Sequence, residues 1–310
     1  MEGNQTVTVK FGMCGTAFWA EQVHLPGLVD RENIEVVGVW GRNPERAAEL
    51  AELFGIRAFA SYEAMLDAVD AVSFAVPPAI QAELALQAIA RGKHVLLEKP
   101  LAPTIDGARR IVRAIADNNV AGLCFLTRMF VGEMTDFVAH ARAIAPRRGE
   151  ASFRSGALIE GPYAESVWRQ AEHGALWDAA PHGMSVLVSV LGPIVAGAAQ
   201  ASPDGTYAFS FRHEGGATSS FDLNLRDPSV KLAERYSFAN GESVKLPKLA
   251  YDRKQTFRDA AGLLLLEIAG DRDESRSRLG LALHLTCAAE AAQESLVAGG
   301  GFVPVETPGV

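Results

Sequence analysis

The chain has few cysteines, no long basic run and no extended apolar segment, and each shortage removes a class of protein. Its three cysteines, Cys14, Cys124 and Cys287, are odd in number, far apart and set in apolar stretches. That pattern fits reduced thiols rather than a disulfide frame or metal knuckle, and it points to a reducing compartment. No uninterrupted apolar run is long enough to span a bilayer, and Met1 to Val9 lacks a basic start followed by an apolar core. The expectation is a cytoplasmic protein with no membrane partner. Basic residues form no long cluster and the formal net charge is -8, with a pI near 5.5, so no nucleic-acid partner is indicated. His24, His140, His173, His213 and His284 have no partner at metal-ligand spacing, and no metal is expected. A nucleophile elbow is absent too, which lowers hydrolase readings.

What remains is an ordinary composition, 48% hydrophobic and 21% charged, over 310 residues, enough for two domains rather than one. The first part alternates two patterns. Val7 to Met13, Ile34 to Trp40, Ala71 to Val76, Val95 to Glu98 and Ala121 to Leu126 are apolar runs of strand length. Phe18 to Val29, Pro44 to Phe54, Ala79 to Ala90 and Thr104 to Asp117 carry helical spacing, with start signals at Asn43-Pro44 and Ser61-Tyr62-Glu63. Such alternation predicts βαβ units and a doubly wound parallel sheet through about residue 122. Beyond it the spacing predicts helices at Met134 to Ala145 and Leu176 to Leu191 and a strand at Glu150 to Leu158. Antiparallel hairpins follow from Ala196 to Lys248, turning at Pro203-Asp204-Gly205, Glu214-Gly215-Gly216 and Asn240-Gly241. A last helix runs from Ser275 to Val297 and stops at Gly299-Gly300-Gly301.

Three clusters carry chemistry. Gly15-Thr16-Ala17-Phe18-Trp19-Ala20 follows the first strand and opens the first helix, the context of a dinucleotide-binding turn. Gly15 and Ala20 suit the tight turn and the helix contact, while Ala17 puts a methyl group where a second glycine is usual. An ordinary strand-to-helix turn is the other reading. The second strand ends in Trp40-Gly41-Arg42-Asn43 with no acid for a ribose 2'-hydroxyl, so Arg42 favours NADP over NAD, unless it is merely a solvated residue before a helix. Lys99 closes a buried strand at Glu98-Lys99-Pro100, where ligands of a parallel sheet gather. Asp178 and His182 are four residues apart, and Pro181 between them predicts a helix start with Asp178 just outside it. They read as a carboxylate-imidazole pair for proton transfer or as a helix cap beside a hydrogen-bonded histidine.

The turn at Gly15 to Ala20, Val76-Pro77-Pro78, the segment Gly92 to Ala102 and the pair Asp178 and His182 together resemble the Gfo/Idh/MocA oxidoreductases. The segment Gly92 to Ala102 is the most specific of these. The resemblance implies an N-terminal Rossmann doubly wound parallel sheet over residues 1–122. It implies a C-terminal α/β domain with a mostly antiparallel open sheet over 123–310, used for substrate binding and for homo-oligomer contacts, in a dimer or tetramer. It implies catalysis by Lys99, Asp178 and His182 on a secondary alcohol or ketone of a sugar, cyclitol or related small molecule. Cofactor contacts would come from Gly12, Gly15, Thr16, Ala17, Phe18, Trp19, Arg42, Val76, Pro77, Pro78, Gln81, Glu98, Lys99 and Arg128. Trp168, Arg169 and Ser185 would face substrate. Gln81 stands where many members have His, and Ser185 where many sugar-oxidising members have a second Asp. Two alternatives stay open: a non-catalytic nucleotide-binding sensor on the same fold, and a reductase of a non-sugar substrate.

Overall fold

A computed structural model describes residues 8–246, 251–273 and 277–307. Val7, Pro247, Lys248 and Ser275, at the edges of three expected elements, lie outside the described residues. The first sheet contains β1 (Val9–Cys14), β2 (Ile34–Trp40), β3 (Arg57–Ala58), β4 (Ala71–Phe74), β5 (His94–Glu98) and β6 (Gly122–Phe125). Its order is β3-β2-β1-β4-β5-β6 and every pairing is parallel, as the alternating pattern predicts. The strand order reverses between β1 and β4, and the crevice beyond their carboxyl ends is where such sheets take ligands.

The second sheet contains β7 (Arg148–Arg154), β8 (Ile194–Ala201), β9 (Tyr207–His213), β10 (Thr218–Asn224), β11 (Ala233–Asn240), β12 (Glu242–Lys245) and β13 (Val303–Pro304). The order is β12-β11-β7-β10-β9-β8-β13, antiparallel except where β7 meets β10. Its hairpins turn where expected, at Gly205, Gly216 and Gly241, each with positive φ. Alternation along β9 buries Phe209 and Phe211 against the helices Gly174–Leu191 and Leu279–Val297.

Two local features depart from the sequence reading. Helix Gly174–Leu191 passes through Pro181 without a break, so Asp178 lies inside it rather than just outside its start. Pro181 has no N–H for the carbonyl of Trp177. The next carbonyl, that of Asp178, accepts a hydrogen bond from Lys99 Nζ at 2.5 Å. Buried Leu176, Ala180, Met184 and Leu187 anchor the helix on either side. The first helix also opens irregularly, with a π turn at Ala20–His24 before the α segment Leu25–Val29. That turn directs His24 into the interior, where it is 0% exposed.

One long helix has no counterpart in the sequence reading. Helix Arg253–Ile268 returns from the second half of the chain and packs on the first sheet. Phe257, Ala260, Ala261 and Leu264 share a core with Phe11, Leu28, Leu96 and Phe125, and Phe257 stacks 4.0 Å from the His24 ring. The four consecutive leucines Leu263 to Leu266 conceal its buried face in the sequence.

Candidate active site

Lys99 follows β5, and the chain then turns through a cis Lys99-Pro100 peptide bond. Gln81, on helix Pro78–Ala90, holds this turn. Its Oε1 accepts the Glu98 N–H at 2.9 Å, and its Nε2 donates to the carbonyls of Glu98, Pro100 and Leu101 at 2.8, 3.2 and 3.2 Å. The Glu98 side chain is likewise occupied. Its carboxylate accepts from Trp19 Nε1 at 2.7 Å, His24 Nε2 at 3.1 Å and the Lys99 N–H at 3.2 Å. A carboxylate oxygen there needs the proton on Nε2, which leaves Nδ1 to accept from the Ser73 hydroxyl at 2.9 Å. Burial lowers the His24 pKa, in keeping with this neutral tautomer.

The sequence places Lys99 and Asp178 far apart, and the fold brings them into contact. Lys99 Nζ lies 3.0 Å from Asp178 Oδ1, with both side chains largely buried. Arg169 approaches the other carboxylate oxygen, Nε to Oδ2 3.0 Å, as an ion pair outside hydrogen-bonding alignment. Its guanidinium is sandwiched 4.3 Å from both the Tyr163 and Trp168 rings. Burial alone would raise the Asp178 pKa, but Lys99 and Arg169 outweigh it and hold the group below the usual 3.8. The carboxylate is therefore ionised, with Lys99 Nζ and Arg169 against its two oxygens.

His182 does not pair with Asp178, contrary to the carboxylate-imidazole reading. Its ring stacks on Phe153 at 5.9 Å, and its side-chain nitrogens make no hydrogen bond among the described residues. One helical turn separates the two residues along the chain, but both oxygens of Asp178 are drawn to cations on its other side. Burial, with the charges of Arg128, Lys99 and Arg253, pushes the His182 pKa well below 6.5. It is a neutral imidazole whose nitrogens have no hydrogen-bond partner among the described residues.

The turn after β1 has the features a dinucleotide requires. Gly15 has φ +125°, and a Cβ there would stand 2.4 Å from the Ala75 carbonyl, with Val76 Cγ1 beside it. Ala17 and Phe18 are exposed along the crevice and Thr16 is half-buried. A Cβ at Gly41, just after β2, would stand 2.5 Å from Thr16 Cγ2, so glycine there leaves room for the Thr16 side chain. Arg42 next to it is exposed and has no ion pair among the described residues. Half-buried Val76 and Pro77 follow β4, and buried Pro78 begins the next helix. These residues fit a bound dinucleotide.

Four expected ligand contacts are instead structural. Gly12 is buried within β1, where an added Cβ would stand 2.8 Å from Met65 Sδ. Gln81 is 1% exposed and fully engaged with the Glu98 to Leu101 backbone. Ser185 is 1% exposed and donates to the His182 carbonyl at 2.8 Å, so it faces no substrate. Arg128 does lie between the two sheets, but Glu234 takes it through Nε at 3.0 Å and a terminal nitrogen at 2.7 Å. Sequence reasoning also missed Arg46, which donates to the Thr16 carbonyl at 3.3 Å and pairs with Glu21, and Arg253, whose guanidinium sits 5.7 Å from the Trp19 ring. Neither belongs to a recognisable motif; only the fold brings them near.

A parallel sheet of this order with a glycine turn at its switch point defines a dinucleotide-binding protein. Residues 9–124 match the family described as "Oxidoreductase family, NAD-binding Rossmann fold". That description is of the Gfo/Idh/MocA family, so the match over these residues agrees with the resemblance seen in the sequence. The chain is 35% identical over 106 residues to dTDP-3,4-didehydro-2,6-dideoxy-alpha-D-glucose 3-reductase of Streptomyces antibioticus, covering 34% of this chain and 32% of that protein. It is 28% identical over 179 residues to scyllo-inositol 2-dehydrogenase (NADP(+)) IolU of Bacillus subtilis (strain 168), covering 55% and 54%. The matches thus span a third to about half of those relatives' own length. Over the whole fold it is similar to levoglucosan dehydrogenase solved with NADH and L-sorbose, with TM-score 0.85, 18% identity and coverage of 97% and 100%. No helix among the described residues is long and apolar enough to cross a membrane.

Proposed function

We propose that this chain is an NAD(P)-dependent dehydrogenase or reductase acting at a secondary alcohol or ketone of a sugar, cyclitol or related small molecule. Residues 1–122 form its nucleotide-binding domain and 123–310 its substrate domain, with helix Arg253–Ile268 crossing back to support the first sheet. The observation that carries this reading is Lys99 fixed between the Asp178 carbonyl and carboxylate, at the mouth of β5, beside a neutral His182. The named activities of the matched relatives, a sugar reductase and an inositol dehydrogenase, agree with it.

The backbone from Gly15 to Phe18 would hold the dinucleotide phosphates, with Val76 and Pro77 along its other side. Arg42 would meet a 2'-phosphate, which favours NADP. When bound, the nicotinamide supplies or accepts hydride. Lys99 donates a hydrogen bond to the reacting oxygen and stabilises its developing negative charge. His182, neutral and unpartnered, takes the hydroxyl proton in the oxidising direction and returns it in the reducing one. Asp178 acts on Lys99, holding and aiming it, rather than on His182. The protein is cytoplasmic and a homo-oligomer, a dimer or tetramer, in this reading.

The test is to titrate NADPH and NADH by fluorescence and screen polyols and ketoses by nicotinamide absorbance. Turnover by the wild type that falls in Lys99→Met, with cofactor affinity kept, supports the assignment. Arg42→Ala should weaken NADPH more than NADH. Tight cofactor binding without turnover across the panel would instead favour a sensor.

A further inference from the structure

The side chains around His182 carry more positive than negative charge. Lys99 and Arg169 share one carboxylate, Asp178. Arg128 is matched by Glu234. Glu98 is covered by three N–H donors of its own. Arg253 has no carboxylate partner among the described residues. Its guanidinium lies over the face of Trp19, a residue of the glycine turn whose indole N–H holds Glu98.

Arg253 also lines an open cleft between the two halves. About 480 Å³ lies between the first helix and the segment ahead of helix Arg253–Ile268. Phe18 and Gln22 form one wall, and Leu232, Tyr251, Arg253 and Lys254 the other. Asp252 stands at its rim, but its carboxylate caps the Lys254 N–H at 2.8 Å. The Arg253 charge is among those that depress His182, after burial, so it is felt at the proposed reaction centre as well as in the cleft.

We infer that Arg253 is a specificity residue that binds an anionic group, a carboxylate or phosphate, on the substrate. This rests on the oxidoreductase reading and narrows its substrate class from neutral polyols to acidic sugars or sugar phosphates. A guanidinium presents paired N–H donors that match the oxygens of either group. A cleft of this size has room for a monosaccharide whose anionic group meets Arg253.

The test compares D-glucose with D-glucuronate and glucose 6-phosphate, and myo-inositol with its monophosphates, with the intact protein and saturating cofactor. Acidic members should exceed neutral ones in kcat/KM, and Arg253→Ala should lower the acidic values by about 10- to 100-fold, the worth of a charge-assisted hydrogen bond. Neutral members should change far less, and Arg253→Lys should recover part of the loss. The carboxylate and phosphate arms show which group is preferred. If Arg253→Ala weakens NADH or NADPH as much as it weakens substrate, Arg253 holds the cofactor and the inference falls. An equal effect on neutral and acidic sugars overturns it too. Should no sugar turn over at all, the dehydrogenase reading fails; calorimetry of D-glucuronate with the protein and NADH then decides on Arg253 separately. Binding that is lost in Arg253→Ala supports the inference, and no binding by the wild type overturns it. Circular dichroism of Arg253→Gln and Arg253→Lys separates loss of the anion site from misfolding.

Discussion

Gln81 grips Glu98 from both sides of its peptide unit, accepting its N–H at 2.9 Å and donating to its carbonyl at 2.8 Å. The same amide nitrogen reaches on to Pro100 and Leu101, so one buried side chain fixes the backbone on both sides of Lys99. Gln81→Ala should therefore lower stability by about 2 to 3 kcal/mol, since buried peptide groups lose their partners. It should also reduce turnover beyond that loss, because Lys99 is no longer held. Urea unfolding and steady-state kinetics on the same preparation check both. Unchanged kcat in a destabilised protein would remove the positioning role.

Gly15→Ala meets two obstacles at once, a positive φ and a carbonyl 2.4 Å from the new Cβ. Dinucleotide affinity should fall by tenfold or more, about 1.4 kcal/mol, as the turn shifts away from β4. Fluorescence titration with NADH and NADPH reads it directly.

Lys99→Met should reduce kcat by about 10²- to 10⁴-fold, as for loss of a group that stabilises charge in the transition state. Lys99→Arg should restore little, because its larger fork cannot reach the Asp178 carbonyl and carboxylate from the same position. Cofactor binding is expected to survive both changes.

His182 has its folded pKa depressed below the ordinary 6.5. The neutral form is favoured in the folded state, so its contribution to stability is present above pH 6.5 and is lost as pH falls below that value. Buried His24, His213 and His284, the last at about 4, shift the same way. Stability should decline on acidification from pH 6.5 with net proton uptake on unfolding. Oxidation by the folded enzyme should show no acid limb near pH 6.5, and the limb should appear lower. A kcat/KM profile falling at 6.5 in the wild type would contradict a buried neutral base.

The parallel sheet was legible because each of its main strands is a short apolar run, and Ile34–Trp40 and Pro44–Phe54 match their expected limits. Lys99, Asp178 and the glycine turn were legible because each motif is local. Their pairings were not. Asp178 and His182 sit one turn apart, yet Arg169 and Lys99 claim the carboxylate, and no spacing rule encodes a contact between residues 99 and 178. Gly12 and Gln81 looked like cofactor contacts because of where they fall in a motif; burial turns them into packing and bracing. Arg253 was invisible because its helix shows no clear stripe in the sequence.

Phe257 and its neighbours cover the back of β1, β4 and β6 with residues drawn from a stretch more than a hundred positions later in the chain. The two halves are thus not interchangeable modules. A chimaera that grafts the first 122 residues onto another substrate domain would expose Phe11 and Leu96 unless it also carries a helix equivalent to Arg253–Ile268. Any recombination that alters substrate choice in this scaffold has to leave that returning helix, and with it Arg253 at its first turn, to the nucleotide-binding half.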